Sequence, residues 1–393
     1  MNVPKIRFPK YNYEWNYEPL NKYVERIVRK NKNKESDLVL TISAQYGLVD
    51  QCTFFNRNVS SSNLDGYYLL YKGDFAYNKS YSNGYPWGAV KRLNLYDKGV
   101  VSSLYICFNT NNLINSDYLQ HYFETNKWYS QISSISVEGA RNHGLLNIAV
   151  NDFFNTEHFF PKIDEQKDIA KFLNLLDKKI ELQSKKIEDL KLFKLKIFDE
   201  LTKNITEFKK IGEIGTLKNG YAFKNNKYDE NGVYNILTIS NVNGDKYIST
   251  SFKNKYSDIP SDIQKHQILK FEDILISLTG NVGRVSYNIG ENNLLNQRVG
   301  LLELNDSEIK QYIFYIINNV KFENEMINCG QGAAQLNISK YDVENYSVPY
   351  PPKEQQIKIS KILDCISKKI QLEKNKLDKL SELKKGFMQN MFV

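Results

Sequence analysis

The sequence predicts a mixed α+β protein. Two α/β domains are separated by two long antiparallel coiled-coil helices, and the whole is pseudo-twofold symmetric. Three observations predict this. A segment repeats at a fixed offset, each copy ends in a sustained apolar heptad, and short strand-like runs fill the stretches between.

The repeat is the strongest signal. Leu146-Asn147-Ile148 recurs as Leu336-Asn337-Ile338, 190 residues on. The same offset carries Asp152 to Asp342, Pro161 to Pro351, Gln166 to Gln356, Ile169 to Ile359 and Leu190 to Leu380, with no gap. Further back the likeness is weaker. Leu40-Thr41-Ile42-Ser43 resembles Leu237-Thr238-Ile239-Ser240, and Lys72-Gly73-Asp74-Phe75 resembles Phe271-Glu272-Asp273-Ile274. The chain therefore reads as variable unit, constant unit, variable unit, constant unit.

The constant units read as helices. In the first, Leu173, Leu176, Ile180, Ile187 and Leu190 keep a spacing of three and four, continued by Ile197 and Leu201. In the second, Leu363, Ile366, Ile370, Leu377 and Leu380 do the same, continued by Phe387 and Met391. Pro161 and Pro351-Pro352 suit helix starts. Each helix of about 36 residues would span roughly 54 Å at 1.5 Å per residue. Two stripes in one register predict that the helices pair with each other. Gln183 and Glu373 interrupt the seam at the same repeat position, as do Lys194 and Lys384. A polar seam residue lowers stability but fixes register, so Gln183 and Glu373 are expected to approach each other at the pseudo-dyad.

The variable units carry strand-like runs at Leu38–Ser43, Val100–Phe108, Tyr234–Ser240, Ile274–Leu278 and Arg298–Leu304. Asn83-Gly84 and Asn231-Gly232 mark turns, and helices are expected at Tyr118–Trp128 and Glu308–Val320.

Composition limits the function. Among 393 residues, 53 Lys and Arg against 45 Asp and Glu give a net charge of +8, a mild lean toward an acidic partner such as nucleic acid. No apolar run approaches the roughly 18 residues of a membrane helix, and the start lacks a secretion-signal core, so a soluble, cytoplasmic protein is expected. The four cysteines and four histidines are scattered and form no metal pattern, so no metal site is expected. No Asn/Asp-Pro-Pro-aromatic methyltransferase motif, phosphate-cradling loop or nuclease pattern is present, so no catalytic residue is assigned.

Together these features resemble the specificity (S) subunit of type I restriction–modification systems. The resemblance covers essentially the whole chain. It rests on Ile6-Arg7-Phe8-Pro9 with Glu14-Trp15, on Leu217-Lys218-Asn219-Gly220-Tyr221-Ala222-Phe223, and on Gly280-Asn281-Val282-Gly283-Arg284 with Asn296-Gln297. Its most specific pieces are the paired endings, Gly139 through Pro161 to Glu165-Gln166 and Gly330-Gln331-Gly332 through Pro351 to Gln355-Gln356.

The resemblance implies a non-catalytic subunit that recognises double-stranded DNA. An N-terminal arm and target recognition domain 1 would occupy 1–160, a central coiled-coil helix 161–203, target recognition domain 2 204–350, and a C-terminal coiled-coil helix 351–393. Each domain would read half of a bipartite asymmetric site. The coiled coil would set the spacing and dock two methyltransferase subunits, with restriction subunits joining in the full complex. The first ten or so residues would pack near the C-terminal helix. No cofactor is expected on this chain. S-adenosylmethionine, ATP and magnesium belong to partner subunits, which carry the adenine methyltransferase and site-specific endonuclease activities. The alternatives are an orphan or antirestriction-like DNA-binding protein without methyltransferase partners, a fused enzyme, and a coiled-coil scaffold without a nucleic-acid role.

Lys and Arg on phosphates would supply affinity, while Arg on guanine and Asn or Gln on adenine would supply specificity. In domain 1 the candidates are Lys79, Tyr81, Asn83, Lys91, Arg92, Arg141 and His143. In domain 2 they are Lys218, Asn219, Tyr221, Asn241, Asn243, Arg284, Gln297, Arg298, Gln331 and Gln335.

Overall fold

The protein is described from a computed structural model, which places residues 2–55, 63–82, 84–136, 146–330 and 336–393. The chain divides into two compact units, Met1–Gln183 with Lys376–Val393, and Ser184–Asn375. The division falls inside the long helices, so each unit consists of one α/β domain packed with half of each helix.

The first unit contains β1 (Asn16–Pro19), β2 (Val24–Arg26), β3 (Leu40–Ser43), β4 (Gly47–Asp50), α1 (Gln51–Phe55), β5 (Tyr68–Tyr71) and β6 (Phe75–Asn78). It continues with β7 (Ala89–Arg92), β8 (Lys98–Val101), β9 (Ile106–Thr110), α2 (Ser116–Phe123), α3 (Tyr129–Ile135), α4 (Val150–Phe154) and β10 (Glu157–Phe160). Helix α5 (Ile163–Thr202) then leads into the second unit. There follow β11 (Phe208–Lys210), α6 (Ile211–Ile214), β12 (Gly215–Asn219), β13 (Tyr234–Leu237), β14 (Lys255–Tyr256), β15 (Ile274–Ser277), β16 (Val285–Tyr287), β17 (Asn293–Leu295) and β18 (Val299–Leu304). Helices α7 (Lys310–Ile317), α8 (Val320–Cys329) and α9 (Lys340–Asn345), strand β19 (Ser347–Pro349) and helix α10 (Lys353–Asn390) complete the chain.

The two domains are built to one plan. The first has an antiparallel sheet in the order β2-β9-β6-β7, the second a sheet in the order β12-β18-β15-β16. Each is closed by a strand pair just before its long helix, β1 with β10 and β11 with β19. The hinge into each helix is fixed identically. Gln166 Nε2 donates to the carbonyl of Pro161 at 2.9 Å, and Gln356 Nε2 to that of Pro351 at 2.8 Å. Both glutamines are buried. The repeated Pro and Gln therefore do the same job twice: proline cannot donate, and its free carbonyl is capped by the amide five residues on.

Four sequence expectations are adjusted. The apolar run Val100–Phe108 is two strands, because Ser102–Tyr105 turns the chain through a Tyr105 N–H to Ser102 carbonyl bond of 3.1 Å. The expected helix at Tyr118–Trp128 begins at Ser116, capped by Asn115, and ends at Phe123. The Glu308–Val320 helix is shorter, at Lys310–Ile317. The long helices run 40 and 38 residues, slightly beyond expectation.

Within each unit α5 and α10 pack antiparallel. In the first, Phe172 meets Phe387 edge-on at 4.8 Å and Asp177 pairs with Lys384. In the second, Lys186 pairs with Glu373 at 3.1 Å. The seam residues Leu173, Ile187 and Leu363 are buried. Leu176, Ile180, Gln183, Leu190, Ile366, Ile370, Leu377 and Leu380 are half-buried, and the polar Glu373 is fully buried. Its carboxylate also meets Lys369 at 3.0 Å, so the charge is compensated inside the seam.

The two chain ends close the first unit. The Ile6 N–H donates to the Asn390 carbonyl at 2.9 Å. Arg7 binds the fully buried Glu165 with two parallel bonds of 2.7 and 2.8 Å, the geometry a guanidinium favours. Phe392 lies in the core against Tyr118 at 5.3 Å and Tyr122 at 5.9 Å.

Phe392→Ala should therefore destabilise the first unit by about 3 kcal/mol or more. Leu383→Ala, at an exposed helix position, should cost far less. Denaturant unfolding of both variants checks this: equal losses would mean the C-terminus is not part of that core.

Candidate nucleic-acid interface

In the second domain, β12 runs into Gly220 and Tyr221 alongside the segment Leu295–Arg298. The Tyr221 N–H donates to the Leu295 carbonyl at 2.8 Å, and the Gln297 N–H to the Tyr221 carbonyl at 3.0 Å. A Cβ on Gly220 would lie 2.2 Å from the Asn296 carbonyl oxygen, so only glycine permits this approach. Two motifs nearly eighty residues apart in sequence thus share one edge. On it Asn219, Gln297 and Arg298 are exposed and Lys218 and Tyr221 half-exposed.

The edge is held from below. His266 Nε2 lies 3.0 Å from the Asn219 carbonyl, Gln267 donates to the same oxygen at 3.2 Å, and the Tyr221 hydroxyl donates to Asp262 at 2.7 Å. Hydrogen bonding to Asp262 raises the Tyr221 phenol above its ordinary value. His266 and Asp262 carry no signal in the sequence, since their place depends on the loop that brings 262–267 under β12.

The remaining described candidates of this domain go elsewhere. Asn241 is buried at 1% exposure. Its oxygen accepts from the Thr238 N–H and its amide donates to the Ser249 carbonyl at 2.9 Å. It holds a turn and has no free edge for a base, which corrects the sequence assignment. Asn243 is exposed but folded onto Asp245. Arg284 Nε donates to Glu323 at 3.2 Å and lines a cavity beside α5 and α10 together with Asn243. Neither joins the Asn219–Arg298 edge.

In the first domain the structure gathers Ser43–Tyr46, Phe54, Asn78 and Ser80–Ser82 around a cleft of about 400 Å³. Tyr81 stands 60% exposed at its rim and Tyr46, which sequence reading missed, 69%. Lys79 is half-buried, with its ammonium on the Ile148 carbonyl at 3.2 Å. Lys91 and Arg92 are corrections. Lys91 is buried against Glu124 at 2.6 Å, because both faces of β7 are covered there. Arg92 is held by Asp117 at 2.7 Å and Ser116 at 2.9 Å, bracing α2. Asn83, Arg141, His143, Gln331 and Gln335 lie outside the described residues.

Where the second domain meets its helices, Lys246 pairs with Asp364 of α10 at 2.6 Å, and the Tyr315 hydroxyl donates to the same carboxylate at 2.7 Å. Burial alone would raise the Asp364 carboxyl, but donation from Lys246, Lys368 and Tyr315 outweighs it and holds it down at about 2. No group of three or more His, Cys, Asp or Glu able to hold a metal ion occurs among the described residues, and no described helix is long and apolar enough to cross a membrane.

The family of type I restriction–modification DNA specificity domains matches residues 205–382. The type I restriction enzyme MjaVIII specificity subunit of Methanocaldococcus jannaschii is 26% identical over 323 residues, 74% of this chain and 73% of that one. The putative MjaX specificity subunit of the same organism is 30% identical over 244 residues, 58% of this chain and 56% of that one. The crystal structure of the type I S subunit from M. genitalium aligns over 100% of this chain and 99% of its own, with a TM-score of 0.57 at 16% identity. A chain from structural work on assembly and conformational transition of the type I system aligns over 97% and 99%, with a TM-score of 0.56 at 15% identity. The two structures share the fold. Residues 205–382 thus match the type I DNA specificity domain, and about three quarters of the chain is similar in sequence to a type I specificity subunit.

Asp364 gives a pH test of the joint between domain and helices. Its folded value lies below the ordinary 3.8, so its contribution is present above pH 4 and is lost as pH falls toward 2. Asp364→Asn should remove about 2 kcal/mol at pH 7 and flatten the acid limb of the stability curve. An unchanged acid limb would show that the carboxylate is not engaged.

Proposed function

We propose that this chain is the DNA-recognition subunit of a type I restriction–modification complex, non-catalytic itself. Each α/β domain reads one half of a bipartite DNA site. The observation that carries this is the Asn219–Tyr221 and Gln297–Arg298 edge. It sets amide and guanidinium groups on a fixed backbone, the donor and acceptor set that reads base edges in the major groove.

The first domain presents different chemistry at its cleft, with Tyr46 and Tyr81 exposed beside Gln45 and Ser80. Two unlike reading surfaces on one plan call for unlike half-sites, so the whole site is asymmetric. The spacing between half-sites follows the length of α5 and α10 and is on the order of one DNA turn.

The helices also supply a docking face for methyltransferase subunits. Leu175, Leu182 and Phe193 on α5 and Leu372 and Leu383 on α10 are exposed, off the seam that joins the helices. Leu182 and Leu372 are repeat equivalents, which suits two copies of one partner. S-adenosylmethionine, ATP and magnesium act on the partner subunits, and restriction subunits join in the complete enzyme.

Two experiments test the reading. Arg298→Ala with Gln297→Ala should weaken specific DNA binding of the assembled methyltransferase complex by about 1–3 kcal/mol per lost base contact, leaving the unfolding curve unchanged. Unaltered affinity and site preference in both would remove this edge from the interface. Leu182→Glu with Leu372→Glu should abolish co-purification of the methyltransferase subunit while the chain stays folded. Retained stoichiometric co-purification would place docking elsewhere.

A further inference from the structure

The repeat allows each seam residue to be compared with its counterpart. In the first unit the polar seam residue Lys384 pairs with Asp177. In the second unit Lys194 stands at the place of Lys384, and Ser367 at the place of Asp177. The cation is kept and its carboxylate is gone.

The consequences are visible around Lys194. Its ammonium donates to Asn318 Oδ1 at 3.1 Å and lies 5.2 Å from the centre of the Tyr315 ring. Ser367 is 7% exposed, and its hydroxyl, beside that of Tyr315, makes no hydrogen bond of ordinary geometry. Both side chains line a cavity of about 350 Å³, together with Lys191, Lys246, Arg284 and Lys374. Three of these further cations are already matched: Lys246 by Asp364 at 2.6 Å, Arg284 by Glu323 at 3.2 Å, and Lys374 by Asp245. Among the described residues, Lys191 and Lys194 are the lining cations that no such pair accounts for.

We infer that this cavity is an oxyanion site of the phosphate class, built where the second unit has exchanged an internal aspartate for serine. A phosphate oxygen set accepts from the two lysine ammoniums and from the Ser367 hydroxyl, restoring the charge balance that Asp177 supplies in the first unit. A half-buried cation with no carboxylate at ion-pair distance is costly, and a buried hydroxyl without a well-placed partner adds to that cost, so one bound anion offsets both. Lysine is a common point-charge partner of phosphate, and several donors converging on one small cavity suit an ion with several acceptor oxygens better than a single-lobed acceptor. Burial agrees with the geometry. It lowers the Lys194 ammonium to about 8, with Lys246 and Lys374 repelling it against the pull of Asp245.

The inference goes beyond DNA reading and does not depend on it. The test uses the full chain and inorganic phosphate. Calorimetric titration and thermal unfolding are compared in phosphate and in chloride at equal ionic strength. The wild-type chain should bind phosphate and melt higher in it. Ser367→Asp supplies the missing carboxylate in place, so it should weaken phosphate binding at least tenfold while keeping or raising the melting temperature in chloride. Lys194→Gln should also lose the phosphate response, and it serves if the aspartate variant folds poorly. Asp177→Ser should create a second phosphate response in the first unit. A wild-type chain indifferent to phosphate, or a Ser367→Asp chain that binds it as the wild type does, would overturn the inference.

A duplex-DNA arm identifies the source of the anion. If saturating duplex abolishes the phosphate titration, the occupant is a DNA backbone phosphate. If the titration persists, the occupant is a free phosphate, and either result keeps the site. Because the titration needs no target sequence, it can fail while DNA recognition stands, and the reverse.

Discussion

Burial of the apolar seam between α5 and α10 is the constraint on which the rest of the structure depends. Both domains draw on it: the cores of both units include residues from the long helices, Ile169 and Leu173 in one, Phe198, Ile359 and Leu363 in the other. A helix with a narrow apolar stripe and lysine-rich outer faces gains little alone in water, so pairing is what makes two helices of this length stable. The seam is not uniformly apolar. Glu373 is held inside it by two lysines, and Lys384 by Asp177, a choice that gives up stability for a defined register.

The mounting of each domain on the seam is equally specific. Gln166 and Gln356 clamp the proline carbonyls at the two helix starts, and a strand pair seals each entrance. In the first unit the arm adds Arg7 on Glu165 and Phe8 against Phe172 at 6.2 Å. Among the described residues the second unit shows no such arm, and Gln355 stands in the place of Glu165. A rigid mount is what a reading surface needs, because base discrimination rests on donors held within a fraction of an ångström.

The repeat and the helices were legible in the sequence because periodicity and recurrence survive without knowledge of the fold. Seam positions were readable one by one, since a heptad converts spacing directly into facing. The reading residues were less so. Asn241 looks identical on paper to Asn219, yet a tight turn consumes every hydrogen bond of Asn241, and Lys91 is taken up by Glu124 on a strand covered on both faces. Arg284 sits in a glycine-flanked loop that seemed a reader, but the loop abuts α8 and faces Glu323. Sequence shows which residue types occupy a loop. Only the packing of neighbouring elements shows which of them remain free.

The central claim is that two unlike domains on one pair of helices read two unlike half-sites at a fixed spacing. Sequencing the methylated positions in the genome of a host carrying this system tests it most directly, with the wild-type chain and with a chimera whose residues 204–350 come from another specificity subunit. The account predicts a bipartite, asymmetric motif with a spacer on the order of one DNA turn, of which the chimera changes one half and leaves the other half and the spacer intact. A continuous motif, or a chimera in which both halves change, would contradict it.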